Sequence, residues 1–143
     1  MEKYELVRTR DETGRQKHEI FVSAAANPIF AIKDGLRLFK KDGLSTVVIK
    51  ASGQALAKAV RVAEEIKRKE LGLHQINAFS KKTIQDRYRP LEEGLDEVVK
   101  DRVLDGLEIT LSKNPLDKNH SGYQPPLSAD KVTNLSLDDV EKL

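Results

Sequence analysis

The basic side chains around one turn are the residues of this chain whose types and spacing suggest the binding of an anion. Lys50 immediately precedes the turn at residues 51–54, whose sequence is ASGQ. Lys58 and Arg61 follow it at helical spacing, three residues apart. A second cluster lies further along the chain and comprises Lys81, Lys82, Arg87 and Arg89. Such clusters neutralise nucleic-acid phosphates in some proteins and are simply solvated faces in most, and both interpretations stay open here.

The turn at residues 51–54 is the second feature that suggests an anion site. It joins a predicted strand to a predicted helix, and backbone N–H groups near the start of a helix favour anions. It is not a Walker loop, because it has one glycine, Gly53, and lacks the Gly-Lys-Ser/Thr ending. The residues alone therefore allow either a phosphate contact or a plain tight turn.

The remaining polar residues do not indicate a catalytic or metal site. The three histidines, His18, His74 and His120, lack the i, i+3 or i, i+4 spacing of a helical metal site. Cysteine is absent, which excludes a thiolate metal site, a cysteine nucleophile and disulfide bonds. Glu64 and Glu65 alternate with basic residues as solvated ion pairs do on a helix. We therefore expect no catalytic residue, no metal and no cofactor.

Length and composition narrow the class of protein further. The chain has 143 residues, which fits one domain. Its 25 Lys and Arg residues against 23 Asp and Glu residues leave a formal net charge of only +2, so it is not a histone-like polycation. The longest apolar run, residues 29–32, is far shorter than the ~18 residues of a membrane helix. We expect a soluble protein without membrane association, and the absence of cysteine is compatible with a reducing compartment such as the nucleus or the cytoplasm.

Strand and helix patterns alternate along the central part of the chain. Residues 18–23 form a β-branched and aromatic run that is typical of a strand. Asn27 is a good N-cap with Pro28 at the first helical position, and apolar residues then recur at helical spacing up to Phe39. Residues 46–49 are apolar without alternation, which predicts a central strand covered on both faces.

The pattern then repeats and ends in two strands. Residues 54–71 carry a stripe of small apolar residues at helical spacing, and Gly72 ends that helix. A strand-like segment follows at residues 74–88, and residues 107–111 alternate cleanly as a last strand. This order, β-α-β-α-β-β, predicts an α/β two-layer sandwich: a mixed four-stranded sheet with two helices on one face.

The ends of the chain differ from its centre in composition. We predict a flexible N-terminal segment at residues 1–17, a folded domain at 18–113 and an extended Pro/Gly-containing C-terminal tail at 114–143. Ser136 is able to cap one helical turn, but so short a helix is marginal without a surface to pack on. We expect the tail to be dispensable for folding.

The strand-turn-helix sequence VIKASGQALAKAV at residues 48–60 resembles the signature of the Alba superfamily, I-K-A-x-G-x-A-[IL]-x-K-[AT]-V. Further matches follow in order: GLHQI at 72–76, PLEEGL at 90–95, LSK at 111–113 and GYQPPL at 122–127. These are similar to the eukaryotic branch, which includes the larger Alba-type subunit of RNase P and RNase MRP and the longer Alba proteins of plants and protists. The resemblance covers residues 18–127.

The resemblance implies the same element order, a dimer, and binding of RNA or DNA without catalysis. Family members contact nucleic acid through the start of the first helix, the strand-turn-helix and the long hairpin of the last two strands. Lys50 and Lys58 match the family's basic positions, whereas Ser52 and Gln54 stand where many members have arginine. The residues and the resemblance together predict a nucleic-acid-binding set of Lys50, Ser52, Gln54, Lys58, Arg61, Lys81, Lys82, Arg87 and Arg89.

Our leading hypothesis is a non-catalytic Alba-type protein that binds RNA in preference to DNA through contacts to the backbone. It would act as a homodimer, as a heterodimer with another Alba-type protein, or as a ribonucleoprotein subunit. The acidic loop at residues 92–100 and the missing arginines favour RNA, or a partner that supplies cations. The alternative is a protein-interaction subunit of an RNase P/MRP-like or chromatin complex with little nucleic-acid affinity of its own. A small enzyme is a third hypothesis, which the absent cysteine and scattered histidines disfavour.

Overall fold

One mixed sheet and two long helices form the centre of the fold. The computed structural model describes residues 4–7 and 16–143, with residues 4–7 and Lys82 described by their backbone alone. The strands are β1 (Tyr4–Val7), β2 (Glu19–Phe21), β3 (Thr46–Ser52), β4 (His74–Pro90), β5 (Val98–Ser112) and β6 (Tyr123–Gln124). The helices are α1 (Pro28–Lys40), α2 (Leu56–Lys69) and the short α3 (Leu137–Glu141).

The sheet confirms the predicted α/β class and adds two strands to the predicted four. Its order is β1-β4-β5-β3-β2, with β6 also paired to β4. β2 and β3 are parallel, and the other pairs are antiparallel. Both additional strands satisfy backbone groups along the outer edge of β4, which would otherwise be an unpaired edge. β1 lies within the N-terminal segment that was predicted to be flexible.

Local signals explain where α1 begins and how closely it packs. The Asn27 Oδ1 atom accepts a hydrogen bond from the Ile29 N–H at 3.0 Å, and Pro28 occupies the first helical position, as predicted. Gly35 allows α1 to approach α2, because a Cβ at this position would lie 2.5 Å from Ile66 Cδ1. The two helices can therefore share one layer on the sheet.

The core lies between these helices and one face of the sheet. Alternate residues of β3 and β5 point towards the helices, and the other residues of these strands point to the opposite side. The buried apolar cluster takes residues from both layers: Ile32, Leu36, Phe39, Ala59, Val62, Ala63, Ile66, Val47, Ile49, Leu107, Ile109 and Leu111. We call the opposite side of the sheet, which these helices do not cover, the open face.

The C-terminal segment, residues 114–143, differs from its prediction as an extended tail. Val140 of α3 is fully buried in the same apolar cluster as the two long helices. The N–H groups of Thr133 and Leu135 donate to the carbonyls of Arg68 and Lys69, at 2.8 and 3.1 Å. These bonds satisfy carbonyl groups that the end of α2 leaves without a helical partner. The segment is therefore part of the folded unit.

An ion pair and a capping box hold α3 in place. Arg37 of α1 donates two hydrogen bonds to Glu141, at 2.8 and 2.7 Å, and this pairing lowers the pKa of the Glu141 carboxyl. Ser136 accepts from the Asp139 N–H at 3.2 Å while the Asp139 side chain accepts from the Ser136 N–H. The predicted cap therefore forms, and α1 supplies the surface that so short a helix needs.

We predict that Val140→Ala lowers the free energy of unfolding by about 2 kcal/mol, because it removes two buried carbon atoms and leaves a cavity. Leu143→Ala, which alters an exposed side chain of the same segment, should change it by less than about 0.5 kcal/mol. Urea unfolding of the full chain measures both. Equal stability of the two variants would show that α3 does not contribute to the core.

Candidate nucleic-acid interface

The turn between β3 and α2 is the centre of the predicted site. Ser52 ends β3 in an extended conformation, and Gly53 takes a φ of +58°, a left-handed value that favours glycine. A 3-10 turn, Gly53–Ala55, then leads into α2. Ser52 makes no side-chain capping hydrogen bond, Ala55 has no polar side chain to make one, and the side chains of Ser52 and Gln54 are exposed. The turn thus presents polar groups to solvent beside the positive end of α2.

Lys58 connects this turn to a neighbouring loop. Its Nζ atom donates hydrogen bonds to the carbonyl oxygens of Ala24 and Ala26, each at 2.6 Å. The loop between β2 and α1 is therefore held against the first turns of α2. Lys58 is one of the predicted nucleic-acid-binding residues, and much of the hydrogen-bonding capacity of its ammonium group is already used within the chain.

Lys50 also has an internal partner. Its Nζ atom lies 3.1 Å from Oε1 of Glu19 on the neighbouring strand β2. The hydrogen bond from Lys50 is the main reason why the pKa of Glu19 is lowered from 4.5, while desolvation of the carboxylate opposes this effect. The same ammonium lies 5.9 Å from the ring centroid of Phe21. Lys50 is thus a partly exposed cation on the open face, with much of its charge balanced.

The other predicted cations lie on different elements. Arg61 is exposed on α2, and Lys81, Arg87 and Arg89 are exposed on β4. The register pairs Lys81 with Asp105 and Arg87 with Val99, so these two β4 residues lie on the side of the sheet that carries the helices. Lys82 pairs with Leu104. The structure therefore divides the predicted set between the turn, the open face and the helix side of the hairpin.

Two cations of β5 were missed by the sequence analysis. Arg102 forms an ion pair with Asp86 of β4 at 3.0 Å, and the Lys100 ammonium lies 5.7 Å from the ring centroid of Tyr88. The register places these groups on the open face of the hairpin. Extending the alternation of residues 107–111 towards the N-terminus would have placed Lys100 and Arg102 on one strand face.

Neither a metal-binding cluster nor a membrane-spanning helix occurs in the described ranges, 4–7 and 16–143. No group of three or more His, Cys, Asp or Glu residues there is arranged to hold a metal ion. No helix in those ranges is both long and apolar enough to span a membrane.

We predict that Lys58→Met lowers the free energy of unfolding by about 1 kcal/mol, because two carbonyl groups exchange a charged donor for water. Amide hydrogen exchange in residues 24–27 should accelerate at the same time. Arg61→Met, three residues further along α2, removes an equal charge from an exposed site and should change neither quantity measurably. Similar exchange rates in both variants would contradict a positioning role for Lys58.

Comparison with known proteins identifies the family. Residues 18–83 match the sequence model of the family described as Alba. The chain is 30% identical over 131 residues to "DNA/RNA-binding protein ALBA1" of Plasmodium falciparum, covering 92% of this chain and 53% of that protein. It is 40% identical over 96 residues to "Ribonuclease P protein subunit p25-like protein" of Homo sapiens, covering 64% of this chain and 59% of that protein. The chain thus spans between about half and three fifths of these relatives.

A solved structure agrees at the level of the fold. Alba from Thermoplasma volcanium superposes with a TM-score of 0.51 at 24% sequence identity, covering 66% of this chain and 98% of that one. The strand-turn-helix around Gly53 lies inside the matched residues 18–83. Residues 18–83 therefore form an Alba domain and belong to the Alba family.

Proposed function

We propose that this chain is a non-catalytic nucleic-acid-binding protein that contacts the backbone of RNA in preference to DNA. The observation that carries the proposal is the exposed turn at Gly53, where Ser52 and Gln54 are accessible between Lys50 and Arg61. These residues bring hydroxyl, amide, ammonium and guanidinium groups to the turn, and each of these groups can donate a hydrogen bond to a phosphate backbone. The names of the relatives, a DNA/RNA-binding protein and a ribonuclease P subunit, support the same function.

The charge along the hairpin supports RNA over an extended duplex. Residues 81–89 contain four basic residues and one acidic residue, whereas residues 92–97 contain four acidic residues and no basic one. Residues 91–97 are exposed, so the hairpin tip would repel a phosphate backbone laid along it. A single-stranded or looped RNA can contact residues 81–89 and turn away before the acidic tip, which a stiff duplex cannot do.

The proposal includes self-association, or association with another Alba-type chain. Phe79 of β4 and Val103 of β5 are 77% and 59% exposed, and the register places them on the same side of the hairpin. Two exposed apolar side chains on one side of the hairpin are typical of a surface that a partner covers. The resulting homodimer or heterodimer would act in the nucleus or the cytoplasm as part of a ribonucleoprotein.

A second function is favoured by the internal pairing of the cations. Lys50 is paired with Glu19, and Lys58 is bound to two carbonyls, so both have less capacity for phosphate than unpaired lysines. A protein-interaction subunit of an RNase P/MRP-like or chromatin complex needs no such capacity. The two functions differ in whether the chain alone binds RNA.

We predict that the turn variant, Lys50→Gln with Arg61→Gln, weakens binding of single-stranded RNA of every sequence alike. Each lost phosphate contact should flatten the log-log salt dependence by roughly 0.7, so two contacts give about 1.4. The hairpin variant, Lys81→Gln with Arg87→Gln, should have a comparable effect. Fluorescence anisotropy from low to physiological salt measures the slope, and single-stranded DNA of the same sequence should bind more weakly than the RNA.

The matched control is Arg68→Gln with Lys131→Gln, which removes two exposed cations away from the turn and should keep the wild-type slope. Circular dichroism and light scattering confirm folding and mass, since Lys50→Gln removes an ion pair and Lys81 lies on the same side of the hairpin as Phe79. An unchanged salt dependence in both test variants would contradict the proposed phosphate contacts. Wild-type protein that ignores RNA at low salt would select the interaction-subunit function.

We predict that the protein is a dimer at about 10 µM by light scattering and that Phe79→Asp converts it to a monomer, because a carboxylate cannot be buried in an apolar contact without a partner. Phe30→Asp replaces an aromatic residue of α1 that is similarly exposed, and should leave the dimer intact. A wild-type monomer that also fails to join an Alba-type partner would refute this part of the proposal.

A further inference from the structure

A depression of about 200 Å³ lies on the open face and extends to Ser52, the residue before Gly53. We call it the sheet-face pocket. Two rows of cross-strand partners build it: Phe21, Lys50 and Glu108 in one row, and Ser52, Gly106 and Ser80 in the next. Each row crosses neighbouring strands, so these side chains project from the same face of the sheet.

The floor of the sheet-face pocket is formed by small residues. Gly106 lies between Ser52 on β3 and Ser80 on β4, and a Cβ at Gly106 would lie 2.6 Å from the Ser80 Oγ atom. The two serine side chains are exposed. A flat molecule can therefore approach the backbone of the sheet closely here and meet hydroxyl groups that both donate and accept hydrogen bonds.

Phe21 supplies an aromatic wall. Its side chain is 53% exposed, although the apolar neighbours Ile20 and Val22 are buried. The Lys50 ammonium lies over this ring, 5.9 Å from its centroid, and is also paired with Glu19. Exposed aromatic rings beside cations are the groups on which proteins stack unpaired bases, because every base has a π-face.

Glu108 is the residue that makes this pocket better suited to a base than to a phosphate. It lies directly across from Lys50, but the Lys50 ammonium is paired with Glu19 instead. Among the residues that the structure describes, Glu108 forms no ion pair, and its side chain is exposed. A carboxylate with no internal partner repels phosphate and accepts hydrogen bonds from N–H groups.

We propose that the sheet-face pocket binds one unpaired nucleobase, which stacks on Phe21 and donates hydrogen bonds to Glu108, with guanine preferred. Guanine presents two adjacent donors, N1–H and the N2 amino group, to the two oxygens of one carboxylate. Uracil presents a single N3–H between two carbonyl oxygens, which the carboxylate repels. Adenine and cytosine, each with one amino group on this edge, should fall between. This inference rests on the proposed RNA-binding function and adds base selection to it.

The test compares eight-nucleotide oligouridines that carry G, A, C or U at one central position, using full-length protein and fluorescence anisotropy at a fixed salt concentration. We expect the G-containing RNA to bind about tenfold more tightly than all-uridine RNA. Glu108→Gln should abolish this preference without weakening the binding of all-uridine RNA. Phe21→Leu should weaken the G-containing RNA about tenfold.

Two matched variants control for charge and for surface aromatic content. Glu97→Gln removes an exposed carboxylate of the hairpin tip, and Phe30→Leu replaces an exposed phenylalanine of α1; both should retain the guanine preference. Equal binding of the four RNAs by wild-type protein, or a guanine preference that survives Glu108→Gln, would overturn the inference while leaving backbone binding intact. Absence of binding to all four RNAs at low salt would overturn the proposed function and the inference together.

Discussion

The rest of the fold depends on the position of β3. This strand lies in the middle of the layer on which both helices pack. β3 pairs with β2 on one side and β5 on the other, and its residues Val47 and Ile49 are fully buried beneath the helices. The alternation of a strand then forces Lys50 and Ser52 to the open face. The chain leaves this strand through Gly53 and enters α2 at once. A single buried strand thus fixes the positions of the turn, of the helix start and of the polar groups between them.

The internal partners of Lys50 and Lys58 limit how strongly the surface around the turn can attract an anion. A buried carboxylate at Glu19 is stabilised by Lys50, and exposed carbonyls at the start of α1 are stabilised by Lys58. Both lysines therefore contribute to the geometry of the chain before any ligand is present. Exposed cations lie on α2, β4 and β5, among them Arg61, Lys81 and Lys100, so the electrostatic attraction for a polyanion comes from several elements rather than from one dense patch.

The sequence predicts the parts of this fold that depend on local signals. The Asn27 cap, the apolar run of β3 and the small-residue stripe of α2 each act over a few residues, and each appears in the structure. The prediction that β3 is covered on both faces was wrong, because both long helices pack on one side of the sheet and Val48 on the other side is only half-buried. β1 and β6 could not be predicted, because they are short and depend on the distant edge of β4. The candidate site shows the same division: its residue types are visible in the sequence, whereas the pairing of Lys50 with Glu19 requires the parallel register of β2 and β3.

The attachment of α3 to α1 has a consequence for the order of folding. Arg37 and Glu141 are separated by 104 residues, so their direct encounter in the unfolded chain is entropically costly, and docking of α3 becomes a short loop closure only once the sheet and α1 have formed. The sheet and the two long helices can assemble while the surface that Val140 covers is still open. During that interval an apolar patch on α1 is accessible to chaperones and to other incomplete chains. The docking of α3, whose segment was predicted to lie outside the domain, is therefore the step that completes the burial of this apolar surface.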